Sequence, residues 1–292
     1  MLVGFVFLFS CKKDHSKGTN PTGQKYTVNF TVSDVVKATA SANKLRVNSA
    51  ADTFKKYIKN LHYLVYDSGG KLVRQINQDT TSANFGNISD GFSPGTYNVV
   101  FVANAASFSA GQFFGSTPIP DYFTGSFLLD GPFYKSMSLT VSTSNINQQI
   151  TLDRLDAQLH IKATDVIPAD LDSIQFECNS FYGQYAMGTG VFKYTGGTFI
   201  FKHVFTAAEK GTSNFQFATI CYNTSYAFSV TVTRYGKPYV NSKPLIISNI
   251  TCVKNKITIM TGALFQPIST GVQNGGFQLS LDPVWSDLVI NF

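Results

Sequence analysis

Apolar and polar positions alternate with a period of two along much of this chain. Tyr26, Val28, Phe30 and Val32 alternate with Thr27, Asn29 and Thr31, the pattern of a strand with one buried face. Leu61, Tyr63 and Val65 repeat it and run into Asp67-Ser68-Gly69-Gly70, after which Lys71-Leu72-Val73 returns. An Asp at the start of a turn and glycines beyond it are hairpin chemistry. Ser93-Pro94-Gly95-Thr96 predicts a second tight turn, feeding the most strand-like run of the N-terminal half, YNVVFVAN (97–104). Residues 50–59 predict a short helical turn. Residues 105–135 carry Phe, Gly, Ser and Pro without a sustained period, so they predict a long loop or short irregular strands.

Alternation resumes at Met137, Leu139 and Val141, then at Ile146, Ile150 and Leu152. After Asp153-Arg154-Leu155 it restarts in Gln158-Leu159-His160-Ile161-Lys162, which places a domain boundary near 153. Ile174, Phe176 and Cys178 follow. Phe199, Phe201, His203 and Phe205 alternate next, then Phe228, Val230 and Val232, then Ile257 and Ile259. No long window combines helical periodicity with caps. Many short strands joined by polar and glycine turns predict an all-β protein of sandwich type, with domains at 26–152 and 153–292.

Composition agrees. Phe 26 and Tyr 14 are many, and only 14% of residues are charged, against about 25% in a typical soluble protein. That much apolar and aromatic mass excludes a disordered chain. The net charge of +6 is spread singly, and its densest cluster, Lys12, Lys13 and Lys17, lies at the extreme N-terminus. Without a basic stripe or recognition helix, nucleic acid is not an expected partner.

Residues 2–9, LVGFVFLF, are too few to span a bilayer, which needs about 20 apolar residues, but they fit the apolar core of a secretory signal. Leu8-Phe9-Ser10-Cys11 then resembles a bacterial lipobox, with Cys11 as the lipid-bearing first residue of the mature protein. Residues 1–11 are thus read as signal and lipobox, and 12–25, KKDHSKGTNPTGQK, as a flexible polar tether. The other three cysteines, Cys178, Cys221 and Cys252, form no CxxC pair. Either one pair of them bridges or all three are buried thiols, and the sequence does not choose.

The search for reaction chemistry finds no GxSxG, HExxH, GxGxxG or phosphate loop. No metal or cofactor is expected, and no catalytic residue is assigned. His15 falls in the tether, and His62, His160 and His203 fall in strand-like segments as satisfied or surface side chains. Asp79, Asp90, Asp121 and Asp130 are expected in solvated loops, and Asp153 and Asp156 as turn caps or local partners of Arg154. The aromatic residues of 108–134 (Phe108, Phe113, Phe114, Tyr122, Phe123, Phe127, Phe133 and Tyr134) are expected either to cover an open sheet or to present a binding surface.

Asn60–Val73 (NLHYLVYDSGGKLV), Pro94–Asn104 (PGTYNVVFVAN), LDRLDAQLHIKATD (152–165), Asn255–Phe265 (NKITIMTGALF) and the terminal Asp282-Pro283-Val284-Trp285 resemble, in this order, the fimbrillin-type proteins of Bacteroidota. The likeness is greatest to their FimB/Mfa2-like minor subunits and anchors. The resemblance implies tandem transthyretin-like β-sandwich domains. It also implies a fimbrial anchor or minor subunit that joins other fimbrillin-like subunits by donor-strand exchange, held on the cell outer membrane by the lipid on Cys11. Arg46 and Arg74 are the early candidates for the arginine trimming that such major subunits undergo, and neither context is persuasive, which favours a lipid-retained subunit. The alternative is a surface adhesin lipoprotein that binds a host or microbial protein or glycan without a pilus role.

Overall fold

In the computed structural model, residues 23–36, 50–109, 122–125, 131–180, 183–267 and 276–282 are described. The first half runs β1 (Tyr26–Val36), the helix α1 (Ala50–Tyr57), β2 (Asn60–Tyr66), β3 (Leu72–Asp79), β4 (Asn87–Phe92), β5 (Gly95–Ala103), β6 (Ala105–Ser109), β7 (Tyr122–Gly125), β8 (Phe133–Val141) and β9 (Ile146–Arg154). The second half runs β10 (Ala157–Ala163), β11 (Leu171–Asn179), β12 (Gly183–Ala186), β13 (Val191–Tyr194), β14 (Thr198–Val204), β15 (Gln216–Cys221), β16 (Phe228–Gly236), β17 (Leu245–Ile250), β18 (Ile257–Gly262) and β19 (Gln278–Asp282). The expected short helical turn is α1, whose Phe54 packs on Phe85 with ring centroids 5.2 Å apart.

The protein is all-β with curved sheets. Seven strands in the order β3-β2-β5-β8-β9-β1-β4 form the first. At the β8–β9 joint the pairing register contains only Phe133↔Arg154 and Tyr134↔Asp153. β1 is interior to this sheet, parallel to β9 and antiparallel to β4. The predicted hairpin at 67–70 joins β2 to β3. Asp67 Oδ1 accepts the amides of Gly69 and Lys71, each at 2.9 Å, and Gly70 takes φ 81°, where a Cβ would be strained.

Two four-stranded sheets, β15-β10-β18-β19 and β14-β11-β16-β17, make up most of the second half. Their facing side chains, among them Leu159, Ile161, Ile174, Phe176, Val230 and Val232, form one core cluster. A separate cluster, including Val28, Phe30, Tyr63, Phe101 and Leu152, fills the first half.

The two halves are joined by more than the chain. Leu64, Tyr66, Val100 and Val102, on the other face of β2 and β5, belong to the core cluster of the second half. This is why these two strands read as continuous apolar runs: both faces are buried. The fourth sheet, β13-β12-β7-β6, takes two strands from each half, with Tyr185↔Phe123 and Ala186↔Tyr122 paired across the seam. The Tyr134 hydroxyl donates to the Met187 carbonyl, and its ring lies against Gly190, where an added Cβ would sit 2.9 Å away. The stretch 105–135 is therefore partly regular structure. Phe123, Phe133 and Tyr134 are buried and Phe108 stacks on His62 at 4.4 Å, whereas Phe113, Phe114 and Phe127 lie outside the described residues.

Candidate functional site

The chemistry-bearing residues do not converge. Cys11 and His15 lie outside the described residues, as do Asp121 and Asp130. Asp90 is not in a solvated loop. It sits on β4, 5% exposed, and accepts from Tyr63 Oη at 3.0 Å and Arg74 Nη1 at 2.9 Å. Asp79 closes a turn by accepting from Thr81 and Ser82, and these bonds hold its carboxyl below its ordinary value. Arg154 pairs with Asp156 at 3.6 Å and lies over the Phe133 ring at 4.3 Å, while Asp153 meets Lys135 at 3.3 Å. The described histidines are satisfied: His62 bonds Asn77, His160 bonds Gln158 and Gln216, and His203 bonds Glu209. Among the described residues, no group of three or more His, Cys, Asp or Glu side chains is placed to hold a metal ion.

What does concentrate is exposed apolar surface. Eleven large hydrophobic side chains are exposed among the described residues. Two of these, Ile200 and Val204, lie on β14 and share a sheet face with Tyr235 of β16, and three more, Val191, Tyr194 and Tyr226, lie on β13 and in the loop before β16. Singly scattered apolar side chains are ordinary on a protein surface, and a contiguous set is informative.

The margin is held firmly from beneath. The Tyr226 hydroxyl oxygen accepts from the Tyr194 backbone amide, and the Tyr226 ring packs at 5.8 Å on the buried Phe192. Buried Asn223 accepts the amides of Ser225 and Tyr226 at 3.1 and 3.2 Å, and Ser225 Oγ accepts the Phe192 amide at 3.1 Å. The Tyr194 hydroxyl reaches the Gly197 carbonyl at 3.2 Å, at the turn that starts β14.

β14 is an edge strand. Its Phe199, Phe201 and His203 turn inward, which leaves Thr198, Ile200, Lys202 and Val204 on the outer face. There Lys202 Nζ lies 5.0 Å above the Tyr235 ring, and Gln175, Glu177, Thr231 and Thr233 continue the face on β11 and β16. The margin thus offers phenol rings, aliphatic side chains, hydroxyls, an amide, the Glu177 carboxylate and the Lys193 and Lys202 ammonium groups. It is equipped to stack and hydrogen-bond. Elsewhere, a concavity of about 460 Å³ is lined by Lys162, Thr164, Ser213, Asn214, Phe215 and Gln216.

Sequence reasoning missed this margin. Phe199 and Phe201 alternate with Ile200 and Val204, so β14 is apolar at both parities, as is the buried β5. Pattern alone does not separate an edge strand from a central one.

The model of the family "Fimbrillin-A associated anchor proteins Mfa1 and Mfa2" matches residues 19–246. No curated protein matches the chain in sequence. Among solved structures, the fimbrial anchor protein Mfa2 from Porphyromonas gingivalis superposes with a TM-score of 0.52 at 13% identity, covering 89% of this chain and 98% of that one. A candidate adhesin from Bacteroides thetaiotaomicron gives 0.51 at 12% identity, covering 88% and 95%. A protein from the same organism, described as a candidate polysaccharide-binding one, gives 0.51 at 11% identity, covering 82% and 92%. At these identities the likeness is one of fold.

Proposed function

The chain belongs to the family of fimbrillin-A associated anchor proteins Mfa1 and Mfa2, and from that membership we propose that it is a surface adhesin lipoprotein that binds protein or glycan through its β13–β14 margin. Its role is structural or adhesive and not enzymatic. Family membership supports a place on the outside of the cell. In this reading Cys11 carries the lipid on the outer membrane, and residues 12–25 lift the body off it. The body is two transthyretin-like sandwiches, 26–152 and 153–292. Several acyl chains on one cysteine hold a membrane stably where a single chain does not.

The observation that carries the reading is the exposed outer face of β14, where Ile200 and Val204 flank the Lys202–Tyr235 contact, together with the Tyr194–Tyr226 pair at the turn that leads into it. Each apolar side chain here is already about half covered, so burial by a partner contributes about 1 kcal/mol per side chain. That gross gain is offset by the several kcal/mol that association itself costs. One molecule binds weakly. Many copies anchored on one cell gain avidity of about 10²–10⁴ without new contacts. Adhesion between surfaces suits such a site.

Fimbrial assembly by donor-strand exchange is the second reading. β14 and β19 are sheet edges bearing exposed Ile200, Val204, Leu279 and Leu281, and an added strand would pair their outward main-chain groups. Against it, the interior position beside β9 and β4 is filled by the chain's own β1. Adherence of cells carrying or lacking the gene, measured on mucin, glycan and protein coatings, tests the first reading. Gene-dependent adherence to a defined coating is expected. Equal adherence, with the protein co-isolating in a detergent-resistant ladder of other subunits, would replace it with the second.

A further inference from the structure

Three thiols gather at one end of the core between the two large sheets of the second half. Cys178 is on β11, Cys221 ends β15, and Cys252 lies just beyond β17. All are buried, at 1% exposure or less. The side chains of Cys221 and Cys252 are in hydrogen-bond contact with each other, and Cys221 Sγ also reaches the Asn223 carbonyl at 3.3 Å. Cys178 is near enough to Cys252 for their charges to interact. The three do not make a group placed to hold a metal ion.

We propose that Cys221 and Cys252 are joined by a disulfide in the exported protein and that Cys178 remains a free thiol. The proposal rests on the reading of the chain as an exported lipoprotein, since disulfides persist beyond the cytoplasm and are rare within it. The oxidant is a disulfide of that compartment, either a protein dithiol/disulfide catalyst or a small-molecule disulfide. The thiolate of one cysteine attacks a donor sulfur and releases the donor's first thiol. The second thiolate then attacks the mixed disulfide, forming the Cys221–Cys252 bond and releasing the donor's second thiol. Two protein thiols are oxidised and one donor disulfide is reduced.

Timing follows from burial. In the folded protein desolvation pushes the Cys221 thiol well above its ordinary value and raises Cys178 as well. Thiols kept protonated are poor nucleophiles, so the bond forms while the sheets are closing. Once formed, it ties β15 of one sheet to the segment after β17 of the other and is shielded from reductant. In this structure all three cysteines are free, buried thiols, and the Cys221–Cys252 contact singles out the pair that oxidation would join.

The test isolates the full chain from the cell envelope, denatures it in an alkylating reagent without reductant, and maps its peptides. Expected is a Cys221–Cys252 cross-linked peptide with Cys178 alkylated, a loss of two of the three alkylation sites seen after reduction. The chain made in a reducing cytoplasm and refolded with oxidised glutathione should give the same bond. A bridge that includes Cys178 in either preparation overturns the proposal through its geometry. Three alkylated thiols in the envelope preparation overturn it as well. If the refolded chain still gives Cys221–Cys252 in that case, the fault lies with the exported reading and not with the pairing. Cys178→Ser should leave the bond intact, whereas a bond lost in that variant contradicts the assignment.

Discussion

Asp165 and Arg234 grip one short segment from opposite sides. The Asp165 carboxylate accepts the amides of Leu264 and Phe265 at 2.9 and 2.7 Å, while Arg234 Nη1 donates to the carbonyls of Leu264 and Gln266 at 3.2 and 2.6 Å. Arg234 Nη2 reaches the Lys243 carbonyl at 2.8 Å, and Tyr239 Oη donates to the Phe265 carbonyl at 2.6 Å. The grip fixes the chain where it leaves β18. Arg234→Met should cost about 2–4 kcal/mol, because it leaves buried carbonyls without donors. Arg234→Lys should recover only part of that, since an ammonium does not span both sets of acceptors. Urea unfolding midpoints measure both, and an unchanged midpoint for Arg234→Met would refute the role.

The seam predicts cooperative unfolding. Phe123 and Tyr185 are fully buried and stack at 5.4 Å across the strand pair that joins the halves, and Tyr185 Oη donates to the Tyr222 carbonyl at 2.7 Å. Phe123→Ala should cost about 3–5 kcal/mol and lower the melting of both halves together. Calorimetry of the wild type should show one main transition. Two well-separated transitions, with only one moved by Phe123→Ala, would contradict a shared core.

Acidification should destabilise the fold. Burial lowers His62 and His160 from their ordinary value; around His160, Lys162 adds to the effect and Asp282 opposes it. A histidine held neutral in the native state takes up its proton more readily once unfolded. Its cost is therefore absent well above the unfolded value of about 6.5 and grows as pH falls below it. Asp79 and Glu209, lowered chiefly by hydrogen bonds from Thr81 and Thr206, extend the loss to pH values near 4 and below. Stability at pH 7.5 should exceed that at pH 5.5, and His160→Gln should flatten the slope. A steeper or reversed slope would count against the assignment.

Cys11→Ser should move the protein from the membrane to the soluble fraction and abolish labelling by a palmitate analogue. Equal labelling of wild type and variant would remove the lipid anchor from the account.

Much of the strand content was legible because a half-buried strand advertises itself at period two, as Val28, Phe30 and Val32 do. The hairpin at Asp67–Gly70 was legible from turn chemistry. The β7–β12 pairing was not, since Phe123 and Tyr185 meet only through tertiary structure and their segments are short. Asp90 was misread because Ser89-Asp90-Gly91 has turn composition, whereas its real environment is set by Tyr63 and Arg74, which are distant in sequence. The exposed margin escaped notice because Ile200 and Val204 read as core until the strand is seen at an edge. Cys11 is the reverse case: its reading as a lipobox cysteine rests on the sequence alone, since the described residues do not include it.

The most direct test of the central claim compares multivalent binding by two surface variants. Wild type, the margin variant Tyr194→Ala/Ile200→Asp/Val204→Asp/Tyr226→Ala, and the control Val73→Asp on the distant edge strand β3 are displayed on beads and presented to the coating that supports adherence. Circular dichroism confirms that each is folded. The account predicts a loss of about 10²-fold or more for the margin variant and binding by the control within about twofold of wild type. Undiminished binding by a folded margin variant would contradict it.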